Sequence, residues 1–275
     1  MTLSPAAPTS EPTFSPSGEV HPIIELNGVR MHFGTTAVLE DVHLAVHRGE
    51  VVALIGDNGA GKSTLVKIIT GYHRPTAGTF RFGGVERGFV SPAEARAAGI
   101  ETVYQDLALV DEMPLWRNLF LGKELHRRVG PLTLLRTAEM RETCERLLSE
   151  IGLTRFRSAD AYAASLSGGE RQSIAIARAM HFGALLLLLD EPTAALSVKE
   201  TRKVHGAIDS ARSRGLGVVL IDHNMSHVSP IADRIVILQH GRVAVTANRG
   251  ELTVDELNEV LAGGSALPPP APLDP

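Results

Sequence analysis

The 275-residue sequence contains one cysteine, Cys144, so no disulfide can form within the chain. Cys144 falls in a helically spaced set with Met140, Leu147, Leu148 and Ile151, which reads as a small core residue and suits a reducing, cytoplasmic setting. Long apolar runs are also missing. Nothing approaches the roughly 18 consecutive apolar residues that a membrane span requires, and the N-terminus has no basic stretch followed by an apolar one. Any membrane role is therefore expected to be peripheral. Charge of one sign is scarce as well: 27 Lys and Arg are interspersed with 31 Asp and Glu for a formal net charge of −4. Without a basic arm or stripe, nucleic acid is not expected among the partners. There is no internal repeat.

Residues 1–20 are rich in Pro, Ser, Thr and Ala and are expected to form a disordered lead-in, as is the Pro-rich tail over 263–275. Between them, over 21–262, strand-like and helix-like apolar segments alternate, which argues for the α/β class with a mainly parallel sheet covered by helices. Strands are expected at 23–33, 79–82, 100–104, 184–190, 217–222, 234–238 and 241–247. The five leucines at 185–189 fit helix or strand by periodicity; their brevity and the acidic pair that follows decide for a central strand. Ser91-Pro92-Ala93-Glu94 supplies an N-cap, a proline at the first helical position and a reciprocal glutamate, and Gly99 closes that short helix. From about 107 to 165 the valine-rich runs stop and helical spacing takes over, with Gly152 as a C-terminal cap, so an inserted helical subdomain is expected. A last helix starts at Thr253, with Glu256 completing a capping box.

The strongest chemical signal is Gly56-Asp57-Asn58-Gly59-Ala60-Gly61-Lys62-Ser63-Thr64, directly after the apolar run Val51-Val52-Ala53-Leu54-Ile55. A buried strand leads into a glycine-rich turn whose backbone N–H groups can converge, and a helix begins at Lys62 with its positive dipole end at the same spot. That arrangement holds a polyphosphate. Lys62 would reach the β- and γ-phosphates, and the Ser63 hydroxyl would ligate Mg²⁺ as a hard oxygen donor.

Asp190-Glu191 closes the leucine strand and so lies at the sheet edge from which the phosphate loop projects. Asp190 would hold Mg²⁺ through water, and Glu191 would polarise or deprotonate the water that attacks the γ-phosphate. A second anion site is suggested by Leu166-Ser167-Gly168-Gly169-Glu170-Arg171-Gln172. There Ser167 caps a helix, Glu170 completes the box, and the glycines would let a phosphate approach the backbone. One nucleotide has little use for two such helix ends in one chain, unless the second serves a nucleotide held by another molecule.

Taken in order, residues 56–64, Gln105 after a strand, residues 166–172, Leu189-Asp190-Glu191-Pro192 and His223 resemble the ATP-binding subunit of ABC transporters over residues 23–262. The resemblance implies a P-loop NTPase fold with an N-terminal antiparallel β subdomain and an inserted helical subdomain. It implies head-to-tail dimers in which the signature segment of one subunit closes on ATP held by the phosphate loop of the other, which accounts for the second helix end. By the same resemblance, Gln105 contacts Mg²⁺ and the attacking water, and His223 is the switch histidine that bonds the γ-phosphate. Phe33 is either the aromatic on which adenine stacks or a core phenylalanine. Trp116 and its neighbours lie where the family docks its membrane subunit, unless the tryptophan is simply buried.

Two positions depart from the family pattern. Glu170 stands where glutamine is common, and it too can complete a capping box and accept a sugar hydroxyl. Ser197 stands where aspartate is common; with Glu200 it still caps a helix, but a carboxylate is lost at the dimer interface. The wording around residues 59–65, 191–196 and 223–228 is similar to the bacterial importers of ribose, xylose and fructose type. Those features imply an ATPase subunit at the cytoplasmic face of the inner membrane, using ATP and Mg²⁺. The implied partners are transmembrane permease subunits and, indirectly, a periplasmic or lipid-anchored substrate-binding protein. Many such importers fuse two ATPase halves; with one phosphate loop, this chain would form a homodimer or pair with another half. The competing readings are a soluble ABC-type mechanical or regulatory ATPase and a small-molecule phosphate-loop kinase.

Overall fold

A computed structural model describes residues 21–153 and 158–263. The expected lead-in over 1–20 and the tail over 264–275 lie outside the described residues. In chain order, β1 (Ile24–Phe33) and β2 (Thr36–Val46) form a long hairpin, and β3 (Val51–Ile55) delivers the chain to α1 (Lys62–Ile69). β4 (Ala77–Phe82) and β5 (Val85–Glu86) follow, then α2 (Pro92–Ala97) and β6 (Ile100–Val103). Next come α3 (Leu115–Phe120), a small hairpin of β7 (His126–Val129) and β8 (Leu132–Leu135), and α4 (Thr137–Glu150). The chain then builds α5 (Gly168–His181), β9 (Leu186–Asp190), α6 (Val198–Ser213), β10 (Gly217–Asp222), α7 (Met225–Val228), β11 (Arg234–Gln239), β12 (Arg242–Asn248) and α8 (Val254–Leu261).

The central sheet runs β12-β11-β3-β10-β9-β6, parallel throughout except for β12, which lies antiparallel on the β11 edge. Its inner strands are buried on both faces, which is why they read as unbroken apolar runs. Alternate residues serve different cores. Ala53, Ile55, Leu187, Leu189, Val218 and Leu220 face the cluster that contains α5 and α6. Val52, Leu54, Leu186, Leu188, Val219 and Ile221 face α1 and the antiparallel sheet β2-β1-β4-β5. A third cluster joins α3, α4 and Ile174 of α5.

Three expectations changed. No strand was expected over 36–46, yet β2 pairs with β1 along its length. Its buried residues Leu39, Val42, Leu44 and Val46 break the two-residue alternation between Leu39 and Val42, where Asp41 has a left-handed φ of 57° and the pairing shifts register. Within 107–165 the helices are joined by the β7–β8 hairpin, turned at Gly130-Pro131. Its strands are short and exposed, so no burial pattern marked them. At α2, Ser91 caps as expected, accepting from the Glu94 N–H, but the Glu94 carboxylate reaches past it to the N–H of Val90 at 2.9 Å. Trp116 takes the buried alternative: its Nε1–H donates to Asp160 at 3.0 Å, and Arg117 and Arg141 lie over its ring.

Cys144 is enclosed in the third cluster, as its spacing implied, and burial pushes its thiol pKa up to about 12 because the thiolate has no solvation there. The native chain should therefore resist iodoacetamide at pH 8.5 and take up one label per chain only on denaturation. Rapid native labelling would contradict the packing.

Candidate functional site

The register of three neighbouring strands brings the chemistry together. Asp222, the last residue of β10, lies opposite Ile55, the last residue of β3, and Ile221 lies opposite Asp190 at the end of β9. With adjacent strands about 4.8 Å apart, the phosphate loop, Glu191 and His223 leave the same edge as neighbours. β6 pairs on the far side of β9, Val103 opposite Leu189, and Gln105 stands exposed two residues beyond it.

The loop after β3 is pressed against β11. A Cβ on Gly56 would lie 2.3 Å from the Leu238 carbonyl oxygen, so only glycine fits, and the N–H of Gly241 donates to the Ala60 carbonyl at 3.0 Å. Gly61 then turns through a left-handed φ of 109° to launch α1. The first turns of α5, α6 and α8 carry Glu170, Glu200 and Glu256, whereas α1 has no acid in its first turn, so its N–H end is not closed by a carboxylate of its own. Lys62 folds back over the loop, donating from Nζ to the carbonyls of Gly56 at 2.5 Å and Asp57 at 3.0 Å. Burial lowers its pKa, an effect opposed by Glu191, Asp57, Asp190 and Asp222. Asn58, Gly59 and Ser63 are exposed around the loop mouth, with Ala60 buried and Thr64 half-buried.

Asp190 is half-buried; desolvation raises its pKa, the Glu191 charge raises it further, and Lys62 opposes both. Ser63, Gln105 and Asp190 offer hard oxygen donors, and no group of three or more His, Cys, Asp or Glu suited to a metal is found among the described residues. A donor set of one carboxylate and neutral oxygens fits Mg²⁺, which draws most of its remaining ligands from phosphates and water. Glu191 adopts a left-handed φ of 46°, uncommon for glutamate, while its N–H donates to the Ile221 carbonyl at 2.9 Å. Its Oε1 lies 2.9 Å from His223 Nδ1.

Asp222 was not singled out by its sequence position, although it ends an apolar run as Asp190 does. It is 2% exposed, and its carboxylate organises both neighbours. Oδ1 accepts the N–H groups of His223 at 2.7 Å and Asn224 at 2.9 Å; Oδ2 accepts the Thr193 hydroxyl at 3.2 Å and faces His227 Nδ1 at 3.6 Å. One buried carboxylate thus ties the turn carrying His223 to the segment that follows Glu191.

Ser167 caps α5, with Glu170 Oε2 accepting its N–H at 2.9 Å. The glycines here answer to packing: a Cβ on Gly168 would lie 2.7 Å from Leu196 Cδ2, and one on Gly169 would lie 2.8 Å from the Glu200 Cβ and carbonyl oxygen. Phe33 is 46% exposed and stands edge-on to the His73 ring, so it is a surface aromatic and not a core residue.

Residues 39–194 match the family model described as ABC transporter. The chain is 43% identical over 239 residues to the xylose/arabinose import ATP-binding protein of Sulfolobus acidocaldarius, covering 87% of this chain and 93% of that one. To the fructose import ATP-binding protein of Rhizobium meliloti it is 41% identical over 251 residues, 90% of this chain and 96% of that one. The chain belongs to the ABC transporter ATPases. This ABC ATPase spans about half the length of the ribose import ATP-binding protein of Bacillus subtilis, 36% identical over 240 residues, 87% of this chain and 48% of that one. In fold it is similar to the ADP conformation of an ABC transporter ATP-binding cassette, with a TM-score of 0.73 at 23% identity over 88% of this chain and 95% of that one. A dimeric cassette in a post-hydrolysis state with ADP and phosphate aligns with a TM-score of 0.66 at 26% identity, over 83% of this chain and all of that one.

Asp222→Ala should lower kcat for ATP about tenfold or more with little change in KM, because it frees the His223 turn without touching the phosphate loop. Asp222→Asn keeps an acceptor for the two N–H groups and should recover most of that loss in a steady-state ATPase assay. Equal rates for Asp222→Ala and the parent would contradict the positioning role.

Proposed function

We propose that this ABC ATPase drives a bacterial monosaccharide importer from the cytoplasmic face of the inner membrane, hydrolysing ATP at composite sites in a head-to-tail dimer. The observation that carries the hydrolytic part is the convergence of residues 56–64, Asp190, Glu191 and His223 on adjoining strand ends. The sugar cargo is supported by the names of the relatives aligned over most of their length, which are import proteins for xylose/arabinose and fructose.

In this reading the loop amides, the α1 N-terminus and Lys62 hold the β- and γ-phosphates of ATP, and Phe33 stacks on adenine. Lys62 is already desolvated and its Nζ is bonded only to backbone carbonyls in the contacts given above, so exchanging them for phosphate oxygens strengthens its partners without ordering a free side chain. Ser63, Gln105 and Asp190 would hold Mg²⁺, whose charge, when bound, offsets that on the phosphate oxygens. Glu191 accepts the proton of the attacking water, and His223 exchanges its Glu191 contact for the γ-phosphate. Ser167, Gly168, Gly169 and Glu170 of the opposing subunit cover the nucleotide. Closure on ATP and reopening after hydrolysis pass through the segment between β6 and α5 to permease subunits, which a periplasmic or lipid-anchored binding protein loads with sugar. No helix among the described residues is long and apolar enough to cross a membrane, consistent with peripheral attachment.

Glu191→Gln should bind ATP as the parent does, lose about a hundredfold or more in turnover, and accumulate as an ATP-bound dimer on gel filtration. Undiminished turnover would remove Glu191 from the role of base. The importer reading predicts co-purification with a polytopic membrane protein from detergent extracts; sedimentation with ribosomes or DNA instead would contradict it.

A further inference from the structure

Phe33 ends β1 opposite Thr36, at the tip of the β1–β2 hairpin, where a side chain 46% exposed would ordinarily sample several rotamers. Here the tip is tied to the segment between α1 and β4. The Thr76 N–H and hydroxyl both donate to the Arg30 carbonyl, at 2.8 and 3.0 Å. With that proton committed, the hydroxyl oxygen accepts from His32 Nδ1 at 3.2 Å. The Phe33 ring itself meets the half-buried His73, their centroids 5.3 Å apart and their planes at 71°. His73 is in turn fixed to the end of α1: its N–H and that of Tyr72 both donate to the Lys67 carbonyl, at 3.1 and 2.8 Å. Gly71 makes the turn before them with a left-handed φ of 75°, and a Cβ there would lie 2.9 Å from the Ser91 carbonyl oxygen.

The helix that starts at the phosphate loop with Lys62 therefore carries, just past its other end, the ring against which Phe33 leans. A nucleobase is joined to its phosphates by a ribose of limited reach, so a stacking platform serves only if its position relative to the phosphate loop is set. A T-shaped contact takes up an edge or one face of the phenyl ring and leaves the other face for stacking. We propose that His73 is a positioning residue for the nucleobase: it braces Phe33 and, through its attachment to α1, fixes that platform relative to the phosphate loop. The inference rests on the reading above in which Phe33 stacks on adenine, and it adds the residue that holds the platform. Because the brace is a contact between rings, another aromatic side chain can supply it and alanine cannot.

The test is a double-mutant cycle on the full chain, read by steady-state ATP hydrolysis. His73→Ala should raise KM for ATP about threefold or more and leave kcat within about twofold, since the base is held in ground and transition states alike. His73→Phe should recover most of that loss. In a Phe33→Ala background, His73→Ala should raise KM no further, because the ring it braces is gone. Parental KM in His73→Ala, or a loss confined to kcat, overturns the proposal. So does a His73→Phe chain as weak as His73→Ala. A rise in KM that is as large without Phe33 as with it also overturns it, and marks His73 as an ordinary structural residue at the end of α1. If Phe33→Ala raises KM and His73→Ala does not, the role of His73 falls and the stacking reading stands; parental KM in Phe33→Ala itself removes the stacking reading and the inference with it.

Discussion

The parallel register of β3, β10 and β9 is the constraint on which the site depends. Ile55, Asp222 and Asp190 are not close in the chain, but pairing Asp222 with Ile55 and Ile221 with Asp190 puts their exits side by side. A slip of one residue in any of these strands would turn its side chains to the opposite face and mismatch both cores at once. The buried faces of the sheet therefore hold the catalytic edge in place. The edge is then stiffened locally: Leu238 and Gly241 back the phosphate loop, and Asp222 joins the Thr193 segment to the His223 turn.

Electrostatics follow from that geometry. Lys62, Asp190, Glu191 and Asp222 share a partly desolvated edge, which lowers the lysine pKa and raises that of Asp190. Lys62 rests on backbone carbonyls and Glu191 on His223. In the proposed function these are the local partners that a phosphate oxygen or water replaces. The left-handed backbone of Glu191 belongs to the same arrangement, since strain at a non-glycine residue persists only where its surroundings enforce it.

What was legible in the sequence was chemistry that demands particular residue types. The phosphate loop shows because Gly56 leaves no room for a Cβ and Gly61 must take a left-handed φ; the leucine strand shows because a parallel sheet buries both its faces. β2 stayed hidden because the irregularity at Asp41 breaks its alternation, and the β7–β8 hairpin because it has no buried face to imprint a period. Asp222 was illegible for another reason. Its partner Thr193 comes from another part of the chain, and no spacing along the sequence announces a contact that only the packed fold creates. The signature glycines were read as an approach for phosphate; the packing adds a second demand, since their Cβ positions meet Leu196 and, on α6, Glu200.

In the proposed function the phosphate loop is half of a site whose other half, from Ser167 to Glu170, belongs to a second subunit. Mixing two inactive full-length chains, Lys62→Ala and Ser167→Arg, tests this most directly. In a head-to-tail dimer, the intact loop of the second chain meets the intact signature segment of the first, so one working site forms. ATP hydrolysis should then reappear in the mixture while each chain alone stays inactive. A mixture as inactive as its components, with dimers demonstrably formed, would contradict the account.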